Sequence, residues 1–145
     1  DGMSYRVFCA MGDGEIQEGQ IWEAAMCAGK YRLDNLVGIV DYNHLQIDGT
    51  VEEVMPLEPL GDRWASFGWN VIHIDGHNIE RIDEAFRAAE DFKGKPTVVI
   101  AHTVKGKGVS FMENNVAWHG HPPVGEDYIK ARAELVAHLN ELEGK

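Results

Sequence analysis

Two oxygen-bearing side chains, Asp13 and Asn43, have the residue types and the spacing of a divalent-cation site. Asp13 lies between Gly12 and Gly14 just after an apolar run, and Asn43 follows the next apolar run. The stretch between them is long enough for one helix and one strand, so a βαβ crossover would bring both side chains to neighbouring strand ends. Carboxylate and amide oxygens suit Mg²⁺, with diphosphate oxygens, water and a carbonyl near Leu45 completing the coordination.

The glycines on either side of Asp13 allow close backbone approach and positive φ, and amide groups at the start of a following helix favour phosphate oxygens. By itself, Gly-Asp-Gly is more typical of an ordinary turn. A plain turn is also an alternative for Asp41 to Gly49. An EF-hand is excluded there, because Leu45 and Gln46 occupy positions that need an oxygen ligand and a glycine.

The order of apolar segments predicts the elements that would position these residues. The predicted strands are Tyr5–Met11, Leu36–Asp41, Asn70–Ile74 and Pro96–Thr103. The predicted helices are Gln17–Tyr31, Pro56–Trp69, Ile79–Phe92 with Asn78 as its N-cap, and Glu126–Leu142. Strands alternating with helices predict one α/β domain over residues 1–145, with a mostly parallel sheet and helices on both faces. Ligands bind beyond the carboxyl ends of such strands, where Gly12–Gly14 and Asp41–Leu45 should meet.

Composition excludes several classes of protein. With 44% hydrophobic residues the chain can build a core, and its net charge of -11 argues against binding the nucleic-acid backbone. The apolar runs are far shorter than the roughly 20 residues that span a membrane. Cys9 and Cys27 lack CxxC spacing, so we expect buried, reduced thiols. The start of the chain has no signal-peptide pattern, and we expect a cytoplasmic protein.

Four segments together carry a specific resemblance. They are Gly12-Asp13-Gly14-Glu15-Ile16-Gln17-Glu18-Gly19-Gln20-Ile21-Trp22-Glu23-Ala24-Ala25, Asp41-Tyr42-Asn43-His44-Leu45-Gln46-Ile47-Asp48-Gly49, and Lys105-Gly106-Lys107-Gly108-Val109-Ser110-Phe111-Met112-Glu113-Asn114 with Trp118-His119-Gly120. This pattern resembles the thiamine diphosphate signature of the transketolase family, most closely the amino-terminal subunit of split bacterial transketolases. The resemblance implies the thiamine diphosphate-binding fold, with thiamine diphosphate and Mg²⁺, or Ca²⁺ or Mn²⁺, as cofactors.

The resemblance also implies roles at the cofactor diphosphate. It places the metal ligands on the side chains of Asp13 and Asn43 and on the carbonyl of Leu45. It places Gly12 and Gly14 beside the diphosphate. These assignments agree with the cation site that the residue types and spacing indicate independently.

Four further residues receive roles from the resemblance. Ile47 would pack near the cofactor rings, although a place in the core is an equal alternative. His119 would approach the diphosphate and the sugar substrate and could assist proton transfer. Glu18 and Glu23 would belong to an acidic cluster that links paired active sites and shares protons, whereas ordinary surface positions are the alternative.

The resemblance implies that this chain needs a partner. In transketolases the glutamate that activates the cofactor lies in a second, pyrimidine-binding domain, and further sequence precedes the first strand. We therefore expect a fold incomplete at its N-terminus. Together with a pyrimidine-binding and C-terminal subunit, in a dimer or heterotetramer, the chain would transfer a two-carbon ketol unit between phosphorylated sugars.

Two other functions are alternatives to a transketolase. A different thiamine diphosphate enzyme, of the 2-oxoacid dehydrogenase E1 or deoxyxylulose-phosphate synthase type, would share the same Asp and Asn ligands. The segment Gln17 to Ala25 disfavours that alternative. A noncatalytic α/β binding module is the other.

Overall fold

Apolar segments alternate with amphipathic ones along the chain, and the computed structural model accordingly alternates strands with helices over residues 2–144, which it describes. Asp1 and Lys145, the two ends of the predicted domain, lie outside the described residues. The strands are β1 (Val7–Gly12), β2 (Leu36–Tyr42), β3 (Leu45–Gln46), β4 (Gly49–Thr50), β5 (Asn70–Asp75) and β6 (Thr97–His102). The helices are α1 (Gly19–Tyr31), α2 (Val51–Val54), α3 (Leu60–Ser66), α4 (Ile79–Asp91) and α5 (Glu126–Leu142), with 3₁₀ turns at Glu15–Gln17 and Val116–Trp118.

The central sheet has four strands in the order β1-β2-β6-β5, and every neighbouring pair is parallel. This confirms the predicted parallel α/β sheet. In its register Gly12 lies opposite Asp41, and Tyr42 lies opposite His102. The carboxyl ends of β1, β2 and β6 therefore meet at one edge, where parallel sheets bind ligands.

Helices cover both faces of the sheet, as predicted. On one face Val40 and Val98 from the strands pack with Ala28 of α1 and Trp64 of α3. On the other face Val37 and Val99 pack with Ala85 and Ala89 of α4. Strand residues alternate between these two clusters because successive side chains of a strand point to opposite faces.

Helix α1 approaches the chain after α3 closely because its inward face carries small residues. A Cβ atom on Gly29 would lie 1.9 Å from the carbonyl oxygen of Phe67, so only glycine fits there. The indole nitrogen of Trp69 donates a hydrogen bond to the carbonyl of Ala25, 2.9 Å away. Helix α1 therefore packs closely against the segment that follows α3.

The last helices agree closely with the sequence patterns. The side chain of Asn78 accepts a hydrogen bond from the Arg81 amide, 3.1 Å away, which confirms the predicted N-cap of α4. Helix α5 has the predicted bounds. Its Glu134 accepts hydrogen bonds from the amide and the hydroxyl of Ser110, so α5 is attached to the long loop that follows β6.

The region between β2 and β5 differs in detail from the prediction. The predicted helix Pro56–Trp69 is only the shorter α3. The segment after β2 is not a simple turn, because β3 and β4 pair as a small antiparallel hairpin. Thr50 then forms a capping box with Glu53 at the start of α2.

Both cysteines are free, but the expectation that they are buried was wrong. Cys9 lies on β1, an end strand of the four-stranded sheet, where residues 7–10 are all exposed. Cys27 lies on α1 beside the inward-facing Ala25 and Ala28. Because a helix turns about 100° per residue, the side chain of Cys27 points outward.

Among residues 2–144, no helix combines the length and apolar character that crossing a membrane requires.

Candidate active site

A cavity of about 550 Å³ opens at the carboxyl edge of the sheet. Its walls come from the ends of β1 and β2, from the β3–β4 hairpin and from the long loop after β6. The described residues that line it are Gly12, Asp13, Gly14, Glu15, Gln17, Asp41, Asn43, Leu45, Gln46, Ile47, Asp48, Val54, Lys105 and His119. The two predicted segments, Gly12–Gly14 and Asp41–Leu45, therefore share one cavity.

Asp13 is a carboxylate held at the base of this cavity, with only 1% of its surface exposed. One carboxylate oxygen accepts the amide of Gly14 at 2.8 Å, and the other accepts the amide of His44. Burial raises the pKa of Asp13, while these two hydrogen bonds act in the opposite direction. A cation beside the carboxylate would favour the ionised form and offset the cost of burial.

Asn43 lies in the same wall and is 7% exposed. Its Nδ2 donates to Asp41 Oδ2 at 3.1 Å, and its Oδ1 accepts the amide of Leu45 at 3.0 Å. These bonds fix the orientation of the amide, and a second lone pair remains on Oδ1 for a cation. Asp13 and Asn43 thus line one cavity with their side-chain oxygens, and their role as cation ligands stays a prediction.

His44 supplies the bend that brings these groups together. Its φ of 64° lies in the left-handed region, which non-glycine residues seldom adopt. His44 directly follows Asn43, and its left-handed conformation lets its amide reach the Asp13 carboxylate. Sequence reasoning did not identify this role, because a left-handed histidine has no clear pattern in a single sequence.

Gly14 is required for steric reasons rather than for positive φ. Its φ is -64°, and neither Gly12 nor Gly14 adopts positive φ, which corrects the sequence-based expectation. A Cβ atom on Gly14 would lie 2.6 Å from Gln46 Oε1 and 2.8 Å from Gln46 Cβ. The close approach of this turn to the hairpin therefore depends on the absence of a side chain at Gly14.

Leu45 and Ile47 line the cavity from the hairpin. Leu45 is buried, whereas Ile47 is 71% exposed. Ile47 is therefore not a core residue, and the alternative that it fills the core is wrong. Ile47 lies at the rim of the cavity with its apolar side chain exposed. Its position near the cofactor rings stays a prediction.

His119 reaches the cavity from the loop after β6, although it is far from Asp13 in the sequence. Its Nδ1 atom is buried, and it has no hydrogen-bond partner within the described chain. A buried polar atom without a partner usually indicates an ordered water or a ligand. His121 is exposed, and its Nδ1 lies 3.1 Å from the carbonyl of His119.

Glu18 and Glu23 do not reach the cavity. Glu18 immediately precedes α1 and Glu23 lies on it, and both side chains are exposed. Their proposed part in linking paired active sites stays a prediction.

Lys105 is a cavity residue to which sequence reasoning gave no role. It follows β6, the third strand that ends at this edge, and that position was the available signal. Lys105 is the only lysine or arginine among the described lining residues, which include four acidic side chains. These are Asp13, Glu15, Asp41 and Asp48.

This charge distribution determines what the cavity can hold. Four carboxylates would repel a diphosphate unless a cation neutralised part of their charge. Within residues 2–144, no three His, Cys, Asp or Glu side chains form a metal-binding group. Asp13 and Asn43 could therefore hold Mg²⁺ only when oxygens of a bound ligand and water complete its coordination. Lys105 and His119 are placed to contact an anionic ligand.

Comparison with known proteins agrees with this geometry. Residues 1–140 match the family model described as transketolase, thiamine diphosphate binding domain. The chain is 48% identical over 143 residues to one subunit of the apulose-4-phosphate transketolase of Phocaeicola vulgatus, covering 99% of this chain and 51% of that protein. It is 48% identical over 135 residues to the SqwG subunit of the 6-deoxy-6-sulfo-D-fructose transketolase of Clostridium sp. strain MSTE9, covering 93% of this chain and 49% of that protein.

The fold is similar to that of solved transketolases. The transketolase of Campylobacter jejuni superimposes with a TM-score of 0.84 at 34% identity, over 92% of this chain and 21% of that chain. The chain thus spans about half the length of the two bacterial relatives above and a smaller share of the solved enzyme. From the family match and the fold, the chain belongs to the transketolase family and matches its thiamine diphosphate binding domain.

Proposed function

We propose that this chain is the diphosphate-binding part of a split transketolase, which transfers a two-carbon ketol unit between sugars together with a pyrimidine-binding partner subunit. The observation that carries the proposal is the convergence of Asp13, Asn43, Lys105 and His119 on one cavity. The similarity to single subunits of two bacterial transketolases supports a partner subunit.

The residues of this chain bind and orient the cofactor. Asp13 and Asn43, with the carbonyl of Leu45, would hold Mg²⁺ at the diphosphate, and Ca²⁺ or Mn²⁺ could take the same oxygen donors. Gly14 lets the backbone approach the diphosphate, and Lys105 contacts its oxygens with a positive charge. Thiamine diphosphate, when bound, supplies the carbanion chemistry of the reaction.

His119 is proposed to approach the diphosphate and the sugar substrate from the wall of the cavity. Its Nδ1 is buried and has no hydrogen-bond partner among residues 2–144, which supports a contact to the diphosphate or to the substrate. An imidazole at this position could assist proton transfer. Glu18 and Glu23 are proposed to lie at the interface with the partner active site, which their exposure on and beside α1 supports.

The proposed substrates are sugars that carry a terminal anionic group. The names of the two relatives specify apulose 4-phosphate and 6-deoxy-6-sulfo-D-fructose, one a phosphate and the other a sulfonate. We propose a phosphorylated sugar as the first candidate for this chain.

We also propose a dimer or heterotetramer in the cytoplasm, a location that the free thiols of Cys9 and Cys27 support.

The test is reconstitution of the chain with the candidate partner subunit, Mg²⁺ and thiamine diphosphate. We expect ketol transfer from xylulose 5-phosphate, apulose 4-phosphate or the sulfosugar to an aldose acceptor, and no transfer by the chain alone. Decarboxylation of pyruvate without ketol transfer would instead support a different thiamine diphosphate enzyme. If the reconstituted complex bound Mg²⁺ and cofactor but turned over none of these substrates, a noncatalytic module would be supported.

A further inference from the structure

The turn that follows β5 packs against the chain that follows β6, although β5 itself lies at the side of the sheet far from β1. The Gly76 amide donates to the carbonyl of His102 at 2.8 Å. A Cβ atom on Gly76 would lie 2.5 Å from Thr103 Cγ2 and 3.1 Å from Ala101 Cβ. This contact is therefore close enough to require glycine, and it brings the next residue of the turn against the loop.

That next residue is His77, whose Nε2 accepts a hydrogen bond from the backbone amide of Val104 at 2.7 Å. An amide N–H can only donate, so Nε2 must carry no proton and the ring must hold its proton on Nδ1. The His77 backbone is itself fixed, because its amide donates to Asp75 Oδ1 at 2.9 Å. The imidazole is thus a rigid acceptor attached to the turn after β5.

The same loop is held from the opposite side by β2. The Thr103 amide donates to the carbonyl of Tyr42 at 3.2 Å, and the Thr103 hydroxyl donates to the Asp41 carboxylate. Residues 103 and 104 therefore lie between two sets of hydrogen bonds, one from β2 and one from His77. Lys105 is the residue that follows this held segment, and it lines the cavity.

We propose that His77 is a positioning residue for the cofactor site: its neutral imidazole holds the Val104 backbone and thereby sets where Lys105 meets an anionic ligand. The inference rests on the proposed function, because it takes Lys105 to contact the diphosphate. His77 does not line the cavity. Its effect on binding must therefore pass through the loop.

The first test measures the hydrogen bond from the Val104 amide to His77 Nε2. In His77→Phe the ring remains but the acceptor is lost, whereas the Oε1 atom of His77→Gln can replace Nε2. Backbone amide exchange of Val104, followed by NMR, should become roughly three- to ten-fold faster in His77→Phe, as expected for one hydrogen bond. His77→Gln should restore slow exchange, and His138→Phe on the exposed side of α5 should leave it unchanged. Equal exchange rates in His77→Phe and the unmodified chain would overturn the proposal.

The second test asks whether the His77–Val104 hydrogen bond affects ligand binding. It measures the affinity for inorganic pyrophosphate with Mg²⁺, in the presence of the partner subunit. Lys105→Met should weaken binding by roughly ten-fold or more, since it removes a charge-assisted contact. His77→Phe should weaken binding by roughly three- to ten-fold, and His77→Gln should recover it. In the Lys105→Met background, His77→Phe should add nothing, because both act through one contact.

The outcomes separate the two proposals. If Lys105→Met left pyrophosphate affinity unchanged, the proposed diphosphate site would fail, and the positioning role would fail with it. If Lys105→Met weakened binding but His77→Phe did not, only the role of His77 would be overturned. Additive losses in the double variant would show that His77 acts other than through Lys105, which would also contradict the proposal.

Discussion

The carboxylate of Asp13 accepts the backbone amide of His44, a residue 31 positions later in the chain. This contact, together with the hydrogen bond from the Asp13 amide to the carbonyl of Asp41, joins the ends of β1 and β2 at the edge where the cavity opens. It also explains why Asp13 is buried even though its side chain is charged, because a buried carboxylate needs hydrogen-bond partners. Asp13 therefore fixes the local backbone and, in the proposed function, also binds the cation.

Asp13→Asn should abolish the stabilisation that Mg²⁺ and thiamine diphosphate give to the protein. The substitution keeps the size of the side chain but removes the negative charge that holds the cation. A ligand present at about 100 times its Kd stabilises a protein by about 2.7 kcal/mol, so the loss should be visible as a smaller rise in Tm. Thermal unfolding with and without both ligands, in the presence of the partner subunit, measures the effect.

The matched control is Asp83→Asn, which removes an exposed carboxylate paired with Arg87 on α4. This variant should keep the full ligand-induced rise in Tm. A normal rise in Asp13→Asn would refute the assignment of Asp13 as a cation ligand.

Gly29→Ala should destabilise the fold, whereas Gly19→Ala in the same helix should not. A Cβ atom on Gly29 would lie 1.9 Å from a backbone oxygen of Phe67. A Cβ atom on Gly19 would meet no atom of the described residues within 4 Å beyond its chain neighbours and its own helix backbone. We expect Gly29→Ala to lower the free energy of unfolding by about 1–3 kcal/mol or more. Gly19→Ala should be neutral or raise it by up to about 1 kcal/mol.

Urea unfolding of the two variants and the unmodified chain measures this difference. Equal stability of both variants would show that α1 can move away from Phe67 without a loss of unfolding free energy. That result would contradict the requirement for glycine at position 29.

Tyr42→Phe should lower the free energy of unfolding by about 1 kcal/mol. The hydroxyl of the buried Tyr42 donates to Glu58 Oε1 at 2.7 Å, and Glu58 Oε2 accepts the amide of Leu60 at 2.7 Å. The hydrogen bonds from Tyr42 and Leu60 lower the pKa of Glu58. The loss should be larger near neutral pH than at a pH below the lowered pKa of Glu58 in the folded protein, because the carboxyl is protonated there and accepts a weaker hydrogen bond.

Chemical denaturation at two pH values measures the loss, and Tyr128→Phe, an exposed tyrosine on α5, is the control. A Tyr42→Phe variant as stable as the control would mean that the Tyr42–Glu58 hydrogen bond does not stabilise the fold.

The stability of the protein should fall as pH drops from about 7 to 5.5, partly because of His102. Partial burial of its ring, then the neighbouring His73 and His44, lowers the pKa of His102, while Glu58 acts in the opposite direction. A histidine with a lowered pKa binds its proton more weakly in the folded state than in the unfolded state. The unfolded state therefore takes up more protons below its own pKa, and stability rises with pH across this window.

His102→Gln should reduce the slope of unfolding free energy against pH in that window, whereas His138→Gln, an exposed histidine on α5, should leave it unchanged. His102 Nε2 lies 3.1 Å from His73 Nδ1, and a glutamine can still form one hydrogen bond there. An unchanged slope in His102→Gln would show that this ring does not titrate differently in the folded state.

Sequence reasoning succeeded for features that depend on local order along the chain. Helix α5 and the Asn78 cap follow from periodicity and residue type within a few positions, and both were found as predicted. It failed where distant segments decide the environment. Cys9 has an apolar sequence context, yet it is exposed because β1 is an end strand of the sheet.

The sequence by itself determined the order of the four strands of the sheet and of the helices α1, α3, α4 and α5. That order indicates the edge where Asp13 and Asn43 lie, because parallel crossovers restrict where strand ends lie. Only the tertiary structure decided which other side chains reach that edge. Three features depend on atoms of other segments of the chain. They are the left-handed turn at His44, the steric need for glycine at Gly14 and the contact from His77 to Val104. Such contacts leave no periodic pattern in a sequence, since they arise from close packing between loops and not from the repeat of a helix or strand.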